Sequence, residues 1–246
     1  LTSEQLTLLK KELKSFVRNG ALLSEDQKLI LREIDTENAK LSLNFGENVL
    51  ADTNDFLLHV TQKKQLKGLP DQVKEMGAEI AKSKNKTGWI FTLDYPSYVP
   101  FMTYLDNREL RRKMSLAFGQ RGFRENDHNN SKLILKIIEL RKKRAELLGY
   151  ESHANFILAE RMAGSEKNVN NFLEELYQKA LPAAKKEWEE LVSYAKKNLN
   201  LDQIEKWDTA YVSEKLKQRQ LDLDEQLLKP YFPLEKVKLG LFEIIG

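Results

Sequence analysis

The stretch SEDQKLILREIDTENAKLSLNFGENVLADTNDF, residues Ser24–Phe56, decides the fold. Ser24 followed three residues later by Gln27 is a capping-box signature, in which a hydroxyl takes an early helical N–H and an amide side chain reaches back. Ile30, Ile34, Leu41, Phe45, Val49 and Phe56 then recur in steps of four or seven. That spacing keeps side chains on one face of a helix with 3.6 residues per turn. No proline interrupts the run. The pattern predicts one helix from about Glu25 to about Lys64, far longer than the usual helix of a compact domain. Such a helix belongs to an elongated helical scaffold.

The same punctuation continues outward. In TSEQLTLLKKELKSFVRNG, Thr2 and Gln5 form a second capping box, Leu6, Leu9, Leu13, Phe16 and Val17 share a side, and Gly20 stops the helix. Pro70 opens a helix at its first turn. Asn107 caps RELRRKMSLAFG, and Ser131 and Gly149 bracket SKLILKIIELRKKRAELLG. Ser152 opens a short helix to about Arg161. Ser165 opens a long one to about Asn198, in which Pro182 predicts a kink. Trp207 to Pro233 reads as helix, turn and short helix. Val237, Leu241, Ile244 and Ile245 then give a last amphipathic helix, expected to pack against something further.

One stretch has strand character. In TGWIFTLDYPSYVPF, Trp89, Phe91 and Leu93 alternate with Ile90, Thr92 and Asp94, and Pro96 and Pro100 then prevent a long regular element. The sequence offers this strand no evident partner. The fold class is therefore all-α, many helices with at most one short strand near Trp89–Leu93, and a sub-boundary falls near residues 84–106. No fixed-period repeat emerges.

Composition narrows the function. Forty basic against 37 acidic residues leave a net charge of +3, a balanced surface unlike the basic excess of a nucleic-acid binder. Absence of cysteine removes disulfides, thiolate catalysis and cysteine-ligated metals. No run approaches the ~18 apolar residues of a membrane span. The chain opens on Leu1, not Met, which suggests a processed or cropped start.

Hydrolytic chemistry needs a nucleophile or an activated water and groups to hold it. Three histidines are available. His59, in FLLHVT, is expected to flank the apolar side of a helix as a structural residue. His153 falls in a first helical turn, exposed or locally bonded. His128 has Glu125 and Asp127 beside it in a loop, but neighbouring loop residues do not all point inward. No pair forms His-Glu-x-x-His, the spacing that puts two imidazoles on one helix face for zinc. Gly119 and Gly122 lack the context of a phosphate loop, and Gly-x-Ser-x-Gly is missing. Glu174, Glu175, Glu187, Glu189 and Glu190 lie among lysines as solvated helical faces. Arg141, Lys142, Lys143 and Arg144 spread around a helix and are diluted by Glu139 and Glu146. Asn129 to Ser131 fits a glycosylation sequon, a pattern too common to weigh alone. The residues contain no assembled catalytic, cofactor or metal site.

Several strings nevertheless resemble one family. NFGENVLADTNDF, YLDNRELRRKMSLAF, IIELRKKRAELLGYESHANFILAERMA and the stretch from Trp207 to Phe242 resemble, in this order, the thimet-oligopeptidase-like (M3) zinc metallopeptidases, essentially from end to end. RENDHNNSKLILKIIELR and ERMAGSEKNVNNFLEELYQKALPAAKKE lean toward the peptidyl-dipeptidase (dipeptidyl carboxypeptidase) branch. The resemblance implies a helical, ellipsoidal enzyme split by a deep channel. In such enzymes a His-Glu-x-x-His helix and a later glutamate hold zinc, and tyrosine and histidine residues steady the oxyanion. All of these lie C-terminal to YFPLEKVKLGLF, so none transfers to a position here.

Residues 1–246 would then be a non-catalytic helical wall of the channel, inactive alone and without zinc. The longer enzyme would release C-terminal dipeptides from short peptides. The alternatives are an oligopeptidase A-like scaffold that cuts internally, or a stand-alone helical peptide-binding module. By this reading the strand at Trp89 pairs with the missing region. The family's habit is cytoplasmic, with the periplasm open because of the missing start.

Overall fold

The computed structural model describes residues 1–221 and 228–246. Among them the helices are α1 (Ser3–Arg18), α2 (Glu25–Asp55), α3 (Asp71–Ser83), α4 (Tyr95–Tyr104), α5 (Arg108–Gly119), α6 (Ser131–Leu147), α7 (His153–Leu158), α8 (Glu166–Leu199), α9 (Thr209–Leu221) and α10 (Leu234–Ile245). Two three-residue strands, β1 (Leu58–Val60) and β2 (Trp89–Phe91), and two short 3-10 turns, Lys63–Leu66 and Lys229–Tyr231, accompany them, so the fold is all-α. Residues 222–227, which carry the expected turn and the start of the short helix, lie outside the described residues.

The caps follow the sequence signals. Thr2 and Gln5 close the box on α1, the Gln5 N–H donating to Thr2 Oγ1 at 3.3 Å and the Thr2 N–H to Gln5 Oε1 at 2.9 Å. Ser24 and Gln27 repeat it on α2, and Asn107 and Ser152 cap α5 and α7 through N–H groups of Leu110 and Asn155. At α6 the capping position is Asn130. Ser131 is the first helical residue, and its N–H donates instead to Asn129 Oδ1 at 2.9 Å.

Two expectations are corrected. First, α2 stops at Asp55, not near Lys64, because the next residues form β1. Second, the strand at Trp89 has its partner inside the chain: β1 and β2 pair antiparallel, Leu58 with Phe91, His59 with Ile90 and Val60 with Trp89. β2 also ends at Phe91, two residues short of the expected Leu93. Pro96 and Pro100 leave room for a helix of 10 residues, α4. Pro96 lies in the first turn of α4, where its missing N–H has no partner to lose, and Pro100 sits inside the helix at the loss of one backbone bond.

The chain divides into two compact units, residues 1–52 with 121–182, and residues 53–120 with 183–246. Residues 84–106 lie within the second. That unit holds the larger apolar core, built by Val60, Leu66, Leu69, Val73, Phe91, Leu93, Phe101, Leu105 and Met114 from the sheet and α3 to α5. Phe91 and Phe101 meet ring to ring at 4.9 Å. A second cluster, Ala195, Ile204, Tyr211 and Val212, joins the end of α8 to α9. In the first unit Leu31 and Ile34 of α2 and Ile137, Leu140 and Ala145 of α6 are buried. α8 runs without a break through Pro182.

Candidate functional site

The most concentrated polar chemistry is in the second unit. The α5 cap places Arg108 and Arg111 one turn apart on the same face. Asp208 stands just before α9, its carbonyl taking the Val212 N–H at 2.8 Å. Its carboxylate accepts Nε and Nη2 of Arg108, the latter at 2.7 Å, together with Nη2 of Arg111 at 2.8 Å and the Glu205 N–H at 3.1 Å. Arg111 spends its other donors on the carbonyls of Leu105, Asp106 and Trp207, and its guanidinium lies 4.0 Å from the Tyr211 ring centroid. Arg111 is 1% and Asp208 0% exposed, so this ion pair is dry.

Burial alone would raise the Asp208 carboxyl, but the hydrogen bonds of Arg108, the Glu205 N–H and Arg111 outweigh it and hold the carboxyl below its ordinary range. Burial lowers the Arg111 guanidinium despite Asp208, while hydrogen bonding to Asp208 raises that of Arg108. Burial and a 3.0 Å hydrogen bond to Asp106 push the Tyr211 hydroxyl up to about 12. The donors and acceptors of this cluster are turned on one another. The arrangement clamps α5 to α9.

A second closed network sits in the first unit, around the wholly buried Asp52 near the end of α2. Its carboxylate accepts the Gly122 N–H at 2.6 Å and Asn126 Nδ2 at 2.8 Å. Asn130 donates through its backbone to Gly122 and through its side chain to the Phe45 carbonyl, and accepts from Asn48. Gly122 has φ +69°, and a Cβ there would fall 2.8 Å from Asn130 Nδ2, so only glycine fits the turn. Burial raises the Asp52 carboxyl, but Asn126, Gly122 and the charges of Arg124 and His128 more than reverse this.

The histidines do not converge. His59 is on β1, not on a helix, with Nε2 2.6 Å from the Thr87 carbonyl oxygen. His128 belongs to the loop folded over Asp52, while Glu125 and Asp127 beside it are exposed. His153 opens α7 and stacks against Phe156, its Nδ1 buried without a partner, and burial followed by the charges of Arg141 and Arg144 lowers its pKa. Asn129 of the sequon donates Nδ2 to the Arg124 carbonyl at 2.7 Å. The basic run disperses: Lys142 pairs with Glu146, Lys143 with Glu139 and Arg144 with Asp35.

Among the described residues no three His, Cys, Asp or Glu side chains stand where they could share a metal ion. These described residues do not fit a zinc centre. No described helix is long and apolar enough to cross a membrane. What the chain does present is uncovered apolar surface. α10 exposes Leu234, Val237, Leu241, Phe242, Ile244 and Ile245 along one side, and α8 exposes Phe172, Leu173, Leu176 and Tyr177.

Long helices, internal ion clamps and exposed apolar faces thus characterise the described residues. The sequence model of Peptidase family M3 matches residues 101–246, and the chain belongs to that family. It is 34% identical over 249 residues to oligopeptidase A of Escherichia coli (strain K12), an alignment covering 100% of this chain and 37% of the relative. The chloroplastic and mitochondrial organellar oligopeptidase A of Arabidopsis thaliana is 36% identical over 253 residues, with 99% and 32% covered. The dipeptidyl carboxypeptidase of Escherichia coli (strain K12) is 30% identical over 239 residues, with 96% and 35% covered. The chain thus spans about a third of the length of the curated relatives it matches.

Proposed function

We propose that this chain is the helical scaffold of a zinc-dependent oligopeptidase of the oligopeptidase A kind, which cuts short peptides internally. The observation that carries this reading is the order of identities, 34% and 36% to oligopeptidase A proteins against 30% to the dipeptidyl carboxypeptidase. That order favours the internal-cutting alternative over the dipeptide-releasing reading to which Arg124–Arg141 and Glu160–Glu187 lean. The scaffold's task is to wall a channel narrow enough to exclude folded proteins. The clamp of Arg108, Arg111 and Asp208 keeps α5 and α9 in register, and α10 packs against the catalytic part that supplies zinc and its ligands. The compartment we assign is the cytoplasm.

The test uses the product of the complete reading frame and peptides with free or amidated C-termini, with fragments mapped by mass spectrometry. Internal cutting predicts the same cleavage positions at comparable rates for both. Release of dipeptides from free C-termini only would transfer the protein to the dipeptidyl carboxypeptidase branch. Zinc-independent binding of peptides without cleavage would make it a stand-alone binding module.

A further inference from the structure

α1 is mounted in an unusual sense. Leu6, Leu9, Leu13 and Phe16 recur in steps of three, four and three, the spacing of a helix-pairing seam. A surface helix ordinarily lays such a stripe on its own core. Here the opposite, cationic stripe makes the attachment. Arg18 donates Nη1 to the Tyr150 hydroxyl at 3.0 Å and Nη2 to the Phe156 carbonyl at 2.8 Å, with its guanidinium 4.1 Å from the Phe156 ring centroid. Lys14 pairs with Glu160 at 2.6 Å. The apolar stripe is left outward, with Leu6, Leu9, Leu13 and Phe16 exposed by 42%, 56%, 62% and 64%.

We infer that this stripe is the seat of an amphipathic helix carried by the same polypeptide outside residues 1–246. A second copy of this chain is the rival occupant, and two observations count against it. The stripe spans two heptads, well short of the ~1,000 Å² a stable interface between separate chains requires. Self-pairing also leaves Lys10, which flanks the seam, without an acid opposite: Gln5 faces it in a parallel pair, and Ser3, Lys10 or Val17 in an antiparallel one. A helix on the same polypeptide does not meet the association cost that makes a small seam inadequate between separate molecules. The chain covers 37% of the Escherichia coli oligopeptidase A, so such a protein has polypeptide to spare. The occupant should carry apolar residues at seam spacing and an acidic residue opposite Lys10. This inference rests on family membership and not on peptidase activity, so either can fail alone.

Residues 1–246 contain no cysteine, which makes α1 suitable for thiol mapping. In the product of the complete reading frame, Leu9→Cys, Leu13→Cys and, as an exposed control off the seam, Glu4→Cys are labelled with a maleimide. Labelling is read on the peptide containing each position by mass spectrometry. Seam residues under an intramolecular helix should label about tenfold or more slowly than the control, at every protein concentration, because access requires local opening. Labelling of both seam positions as fast as the control overturns the inference. Protection that disappears on dilution also overturns it, and assigns the stripe to a second copy. Leu13→Cys stands in if Leu9→Cys fails to fold.

Discussion

Asp208 is the residue on which the second unit turns. Asp208→Ala would strand Arg111, a guanidinium with 1% exposure, beside no counter-charge. Removing one partner of a buried pair costs about 3–5 kcal/mol, so the denaturant midpoint should fall steeply. Replacing exposed Glu109, which only pairs with Arg112 on the surface, should change it little. Titration gives a second expectation. Asp52 and Asp208 are both held below their ordinary range, so each stabilises the fold above the unfolded carboxylate value of about 3.9 and loses that contribution as pH falls through its lower folded value. Stability measured against pH should drop below about pH 4, less steeply in Asp52→Asn. His153 acts in a higher window. Its folded pKa is depressed, so the unfolded chain binds the extra proton as pH falls below about 6.5, and stability declines from there toward the folded value. His153→Leu removes the partnerless Nδ1 and should flatten that decline.

At the scale of elements, legibility followed chemistry that is local in sequence. Thr2 with Gln5, Ser24 with Gln27, Asn107 and Ser152 marked helix starts because a cap is made within three residues. β1 was not legible. Leu57, Leu58 and Val60 around His59 continue the helical count of α2 as easily as they begin a strand, and only pairing with β2, some thirty residues on, decides between them. Gly88 enforces that pairing. It adopts φ +87°, and a Cβ would fall 2.4 Å from the Val60 carbonyl oxygen. Gly88→Ala should destabilise the unit by about 1–3 kcal/mol or more, measured by thermal or denaturant unfolding. Pro182 invites the opposite experiment. It lies inside α8, where proline costs up to about 3 kcal/mol relative to alanine, so Pro182→Ala should raise helicity and stability.

For the whole molecule, the all-α class and the family were readable because they rest on periodicity and on long strings in order. The clamp was not, since Arg111 and Asp208 stand 97 residues apart and meet only after folding. Two arginines three apart in RELRR hinted at a shared face but named no partner. The absence of His-Glu-x-x-His was plain from the sequence. On the proposed function these helices serve a metal-dependent peptide channel completed elsewhere in the polypeptide. One measurement reaches that claim directly: hydrolysis of an internally quenched short peptide by the product of the complete reading frame, before and after chelation and after zinc is restored. The account predicts cleavage that disappears on chelation and returns with zinc. A properly folded full product that cleaves no peptide with zinc present, or cleaves equally well after chelation, would contradict it.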